Sequence, residues 1–352
     1  MARPRRSSSA QLCYAKCNAG FRFRCSLAVD TRTMRSFFSR MTTFTCPRRV
    51  VIGLSIAAIC SWASAAETPG PAAPTLPTSE QVTAAPASLF DYDKSAPLDI
   101  QEVGKETRDD AVIRDITFAG YPFRVSGYLV LPERGGASLA AILYVHWLGE
   151  KETTNRTQFL NEAIALANQG VASLLIDAMW ARPKWYEKRI PEEDYDSAIA
   201  QVKDLRRALD VLLAQPGVDP NRVAFVGHDF GAMYGIVMGA VDRRPSAYVL
   251  MAAAPHFVDW FLFGPQPKSV ADYRRELAPL DPILFVPKLA PTPIFFQFAS
   301  RDEYVPTAAA DKFYSAALPR KQTAMYDAGH DLQKPDVTAD RINWLMRALK
   351  LR

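Results

Sequence analysis

The chain reads as an α/β protein with a mostly parallel sheet flanked by helices, and three observations lead there. From residue 112 to residue 349, short apolar runs alternate with longer runs of helical period. All four histidines, His146, His228, His256 and His330, fall where one of the short runs ends. Gly227-His228-Asp229-Phe230-Gly231 lies between a strand-like run and a helix-like run. Alternating strands and helices imply parallel strands covered on both faces. In such sheets, ligands sit outside the carboxyl ends of the strands.

The elements follow in order. Val112–Phe118 and Val125–Leu131 are predicted strands, the second closing at Pro132, and they suit an antiparallel hairpin at the sheet edge. Ala140–Val145 is a buried strand, followed by a helix over about Thr157–Gln169, with Gly170 as its stop. Ala172–Ile176 is the next strand. Glu192–Leu213 is helical, because Ile199, Val202, Leu205, Leu209 and Leu212 recur at intervals of three and four. Strand Arg222–Val226 leads into the 227–231 turn and helix Phe230–Val241. The sixth predicted strand, Ala247–Ala252, is followed by an irregular excursion, Pro255–Thr292, expected to form a short flap. Strand Ile294–Phe298, helix Thr307–Leu318, strand Thr323–Tyr326 and the amphipathic helix Val337–Leu349 complete the domain.

The domain is expected to span residues 90–352. Residues 67–89 are rich in Pro, Ala, Ser and Thr, cannot bury a core and read as a flexible linker. Residues 1–66 form an N-terminal extension that contains a secretory signal peptide: Arg48-Arg49, the apolar run Val50–Ile59, then Ala63-Ser64-Ala65. A start at Met34 or Met41 would give a signal of ordinary length. Ten apolar residues are too few for a bilayer span, which needs about 20. The expected location is therefore periplasmic or secreted, with no stable membrane span after cleavage.

The charge balance changes once that segment is set aside. The chain has 42 basic and 37 acidic residues, net +5, but eleven of the basic residues and only Asp30 among the acids lie in 1–66. The remainder holds 31 basic and 36 acidic residues, net −5. Nothing in that balance points to nucleic acid as a partner. All five cysteines also lie in the extension, so the expected mature domain has no thiol nucleophile. No cofactor is expected, and the histidines lack metal-ligand spacing.

The 227–231 segment has the form of a nucleophile elbow. Small residues flanking the central position permit a strained strand-to-helix turn that lifts one side chain into the site. Here that side chain is Asp229. His330, in Ala-Gly-His-Asp after the last strand, is the candidate base. Asp302, in Ser-Arg-Asp-Glu-Tyr-Val-Pro, is its candidate orienting acid, with Glu303 as the alternative. An oxyanion hole is expected from the backbone N–H groups of Phe230 and Trp147. His146, His228, Trp180, His256, Trp260 and Tyr273 are candidate pocket residues for a small-molecule substrate.

From about residue 110 onward the chain resembles the α/β-hydrolase superfamily. The resemblance rests on Val-His-Trp-Leu-Gly after one strand, Val-Gly-His-Asp-Phe-Gly-Ala at the elbow, Arg-Asp-Glu-Tyr-Val-Pro and Ala-Gly-His, in that order. Most of the body is similar to the dienelactone hydrolase-like branch. The elbow is similar to that of epoxide hydrolases and haloalkane dehalogenases. Those aspartate families imply a covalent ester on Asp229, later hydrolysed by water that His330 activates. The chain departs from them in carrying Phe230 where they often have Trp, Trp147-Leu148-Gly149 in place of Gly-x-Pro, and an excursion too short for a cap with two tyrosines. Three readings remain: an aspartate-nucleophile hydrolase of epoxide or halide substrates, a relative that binds without hydrolysis, and an esterase-like enzyme with directly activated water.

Overall fold

The structure is a computed structural model that describes residues 82–149 and 155–351. The described residues belong to one compact unit, Pro74–Arg352. The expected signal peptide, the five cysteines and most of the expected linker lie outside the described residues. The end of that linker is packed rather than free. The Ala85 N–H donates to Pro279 C=O at 2.8 Å, and Ala87–Phe90 forms a 3-10 turn that buries Phe90 completely.

In chain order the elements are β1 (Gln101–Arg108), β2 (Ala111–Phe118), β3 (Val125–Pro132), β4 (Leu139–Val145), α1 (Leu160–Ala167), β5 (Val171–Ile176), α2 (Trp185–Lys188), α3 (Asp194–Leu213), β6 (Val218–His228), α4 (Phe230–Val241), β7 (Ala247–Met251), α5 (Phe257–Phe261), α6 (Val270–Leu277), α7 (Pro282–Phe285), β8 (Ile294–Ala299), α8 (Thr307–Ala316), β9 (Lys321–Tyr326) and α9 (Pro335–Ala348). They build a nine-stranded sheet in the order β1-β2-β3-β5-β4-β6-β7-β8-β9. The strands from β5 to β9 run parallel, and β1, β2 and β3 pair antiparallel at one edge.

The central strands β4, β5, β7 and β8 are buried along their whole length, as continuous apolar runs in a doubly covered sheet require. One face packs against α1 and α9 through Ala163, Ile164, Val337 and Leu345. The other packs against α3, α4 and α8 through Leu205, Leu209, Met233, Ile236 and Phe313. Strand order reverses between β4 and β6: the chain leaves β4 toward β5 on one side, then returns to β6 on the other. A crevice opens at the carboxyl ends of such a pair. The excursion after β7 is helical rather than irregular, built from α5, α6, α7 and two 3-10 turns. A strand the sequence does not announce, β1, forms the outer edge, and nearly all of its residues are exposed.

Candidate active site

Strand β6 runs through His228, past the expected end at Val226, and α4 starts at Phe230. Asp229 joins them with φ 53° and ψ −118°. A non-glycine residue rarely holds such a conformation, and it costs on the order of 1–3 kcal/mol unless its surroundings enforce it. Here they do. The Asp229 N–H donates to Met251 C=O at 2.8 Å, and Asp229 C=O accepts from Met233 N–H at 2.9 Å. The flanking glycines permit the approach: a Cβ on Gly231 would lie 2.3 Å from Val145 O, and one on Gly227 would lie 2.6 Å from Ala232 N.

The Asp229 carboxylate has no exposed surface. Its Oδ2 accepts the Leu148 backbone N–H at 3.0 Å, while its Oδ1 is buried without a hydrogen-bond partner. His330 Nε2 stands 3.9 Å from Oδ2, within ion-pair range but too far for a hydrogen bond. Behind it, His330 Nδ1–H donates to Asp302 Oδ2 at 2.9 Å. Asp302 is held in turn by the N–H groups of Tyr304 and Val305 on its Oδ1, at 2.9 and 2.8 Å. The expected acid–histidine pair is thus assembled behind the elbow, through Asp302 rather than Glu303.

Burial pushes the Asp229 carboxyl above the usual carboxylate range, against the opposing pull of His330. Burial alone would lower His330, but the hydrogen bond to Asp302 and the negative charge of Asp229 and Asp302 outweigh it and raise the imidazole to about 9. His330 therefore holds its proton more tightly than a free imidazole.

The oxyanion turn differs from expectation by one residue. Trp147 N–H donates to Gln158 Oε1 at 3.0 Å, so it is not aimed at Asp229. Leu148 supplies the donor instead. Phe230 stands in the expected place at the start of α4, where first-turn N–H groups have no helical partner. Its ring packs against Trp180, Trp260 and Phe261.

A cavity of about 780 Å³ adjoins His330 and Leu148. Its walls come from the oxyanion turn (Trp147 to Gly149), from the segment around α2 (Trp180, Arg182, Lys184, Trp185, Tyr186), from α5 and the turn after it (Trp260, Phe263), and from the loop after β8 (Glu303, Tyr304). Trp180 and Trp260 thus stand in the cavity wall.

The other four candidates are not. His146 is buried, accepting Ala178 N–H on Nε2 at 3.1 Å and donating from Nδ1 to Trp147 C=O at 2.8 Å. Burial pushes its imidazole down to about 4. His228 is fully buried between Gln158 and the His330 carbonyl. His256 pairs with Asp281 at 2.8 Å, away from the cavity lining. Tyr273 donates its hydroxyl to Asp194 inside a buried cluster with Arg189. The three histidines are polar groups at element ends that satisfy backbone or a charge, and Tyr273 does the same from within α6.

Sequence reasoning missed Leu148, Gln158 and Phe263. Leu148 acts through its backbone, so no side-chain signal marks it. Gln158 is polar in the turn that precedes α1, where such residues are ordinary.

No family model matches the chain. A polyketide transferase, ATR5, of Stachybotrys chlorohalonatus is 30% identical over 96 residues, which span 27% of this chain and only 31% of that protein. Among solved structures, the acetyl xylan esterase from Paenibacillus sp. R4 superposes with a TM-score of 0.58 at 18% identity, covering 74% of this chain and 91% of that one. Acetyl xylan esterase 1 from Thermoanaerobacterium sp. JW/SL YS485 gives 0.58 at 16% identity over the same shares. A cold-adapted esterase from an Arctic intertidal metagenomic library gives 0.51 at 17%, covering 70% and 97%. Together with the sheet order, these likenesses establish the α/β-hydrolase fold.

Proposed function

We propose that the protein is a hydrolase that opens an apolar epoxide or displaces halide from an alkyl halide through an ester on Asp229. One observation carries this reading: Asp229 occupies the elbow with Oδ2 on the Leu148 N–H, Oδ1 unpartnered, and the His330–Asp302 pair 3.9 Å behind.

The steps follow from those positions. Asp229 Oδ1 attacks a saturated carbon, forming a C–O bond as the carbon–halogen or epoxide C–O bond breaks. A carboxylate suits this displacement. At an ester carbonyl it would give an anhydride. Alkylation removes the charge on Asp229, and with it one of the two carboxylates that keep His330 protonated. The His330 proton then passes to the alkoxide of an opened epoxide, or to solvent where halide leaves. The neutral imidazole takes a proton from water, whose oxygen attacks Asp229 Cγ. The resulting oxyanion develops on Oδ2, where Leu148 N–H already points. Collapse breaks the bond between Cγ and Oδ1 as the protonated His330 gives its proton to the departing oxygen, so Oδ1 leaves in the alcohol or diol and the water oxygen restores the carboxylate, whose remaining proton returns to His330. Asp302 holds the imidazole in the tautomer this needs.

The test is a single turnover in heavy-oxygen water followed by mass analysis of the peptide that carries Asp229. The label is expected in the Asp229 carboxylate, and Asp229→Asn is expected to abolish turnover. Turnover without label would sink the covalent route. A second reading, binding without turnover, is favoured by the complete burial of Asp229 behind the cavity wall. It requires the wild type to hydrolyse no epoxide, halide or ester panel member, so turnover that depends on His330 ends it.

The same proposal includes export through the 48–65 signal. N-terminal sequencing of the protein from an expressing cell is expected to begin after Ala65. An uncut chain retained in the cytoplasm would overturn this part alone.

A further inference from the structure

His228 and Gln158 take no part in the chemistry above, yet they sit between the two turns that do. Gln158 Oε1 accepts Trp147 N–H at 3.0 Å. That bond fixes the amide orientation, because a backbone N–H requires an acceptor. Gln158 Nε2–H therefore donates to His228 Nδ1, 2.7 Å away. With Nδ1 accepting, the His228 proton must lie on Nε2, from which it donates to the His330 carbonyl at 2.9 Å. The Trp147 ring stacks on His228, with centroids 5.3 Å apart and planes 11° apart.

We propose that Gln158 and His228 are positioning residues, forming a one-way hydrogen-bond chain that braces the oxyanion turn against the catalytic-histidine turn. Each bond has a separate effect. By consuming the Trp147 N–H, Gln158 leaves the next one, Leu148, to face Asp229. By donating to the His330 carbonyl, His228 sets the backbone from which the imidazole reaches both Asp302 and Asp229. The direction of the chain also fixes the charge of His228. A second proton on Nδ1 would meet the Gln158 amide hydrogens, so His228 stays neutral, and its complete burial acts in the same direction. The His that precedes Asp229 in the elbow motif is thereby explained by its two ring nitrogens rather than by contact with substrate.

The hydrogen-bond chain stands on geometry, while its effect on turnover rests on the Asp229 reading above. The experiment keeps the two apart. Nitrogen-15 imidazole spectra of the wild type between pH 6 and 9 resolve only four histidines. His228 is expected as the neutral Nε2–H tautomer throughout. A proton on Nδ1, or titration within that range, overturns the proposal whatever the substrate.

Gln158→Glu presents a second acceptor in place of the amide donor. It is expected to draw a proton onto His228 Nδ1, and an unchanged tautomer there also overturns the proposal. With styrene oxide as the probe, Gln158→Leu and His228→Phe are expected to lower kcat by about 100-fold, the scale of a displaced catalytic group, with KM little changed. Unchanged kcat in a folded variant removes the positioning role. If the wild type leaves styrene oxide untouched, the two spectra decide alone. If the spectra hold but Asp229→Asn retains turnover, the nucleophile reading fails and the brace stands.

Discussion

Asp229 and His330 control each other's charge, and two predictions follow at the scale of single residues. His330→Gln keeps a nucleophilic carboxylate but removes the base for the second step. It is expected to stop turnover and accumulate the Asp229 ester, seen as intact-protein mass increased by the alkyl group. The second concerns pH. The His330 pKa is raised from 6.5 to about 9, so the folded state holds its proton more tightly than the unfolded chain. That contribution is complete below about pH 6.5 and is lost as pH rises through about 9, on the order of 3 kcal/mol. Denaturant midpoints are expected to fall across this window in the wild type and to fall less in His330→Gln. Asp229, His330 and Asp302 were all legible in the sequence as one group, because the task proposed for each dictates the type of its side chain. The oxyanion donor was misplaced by one residue, because a backbone N–H carries no residue-type signal and its direction depends on Gln158.

At the scale of elements, the elbow depends on how closely α4 approaches β4. A Cβ on Gly231 would lie 2.3 Å from Val145 O and 2.8 Å from His146 O, both backbone atoms that cannot swing aside. Gly231→Ala is expected to lose at least about 1–3 kcal/mol by overpacking, read from the urea midpoint. Activity should fall with it, since α4 carries the start of the site. The parallel strands were legible because continuous burial leaves unbroken apolar runs. Strand β1, Gln-Glu-Val-Gly-Lys-Glu-Thr-Arg, was not, since an edge strand exposed along nearly its whole length needs no apolar pattern. The excursion after β7 was read as a flap, but its short helices α5, α6 and α7 fall below the length at which periodicity speaks.

Across the whole molecule, the cavity is closed by two separate insertions. One surrounds α2 and the other runs through α5 and α6. They are tied where neither touches the reacting atoms: Arg189 pairs with Asp194 and donates to Phe261 C=O, Tyr273 donates to Asp194, and Tyr186 donates to Trp260 C=O. Arg189 and Asp194 are both buried. Arg189→Met leaves the Asp194 carboxylate buried without its cation, and a loss of about 3–5 kcal/mol is expected in equilibrium unfolding. This tie was invisible in the sequence, because 79 residues separate Tyr273 from Asp194. What the sequence did show at this scale was the rim itself, through histidines and aspartates gathered at strand ends.

That division of labour bears on how such a protein can change its guest. The groups proposed to react hang from the ends of β4, β6, β8 and β9, whereas much of the surrounding wall belongs to the two tied segments. Wall residues such as Trp185 and Phe263 are distinct from the tie that holds them. A lineage could therefore exchange wall residues one at a time, keeping both the tie and the chemistry, and inherit a new substrate without rebuilding the sheet.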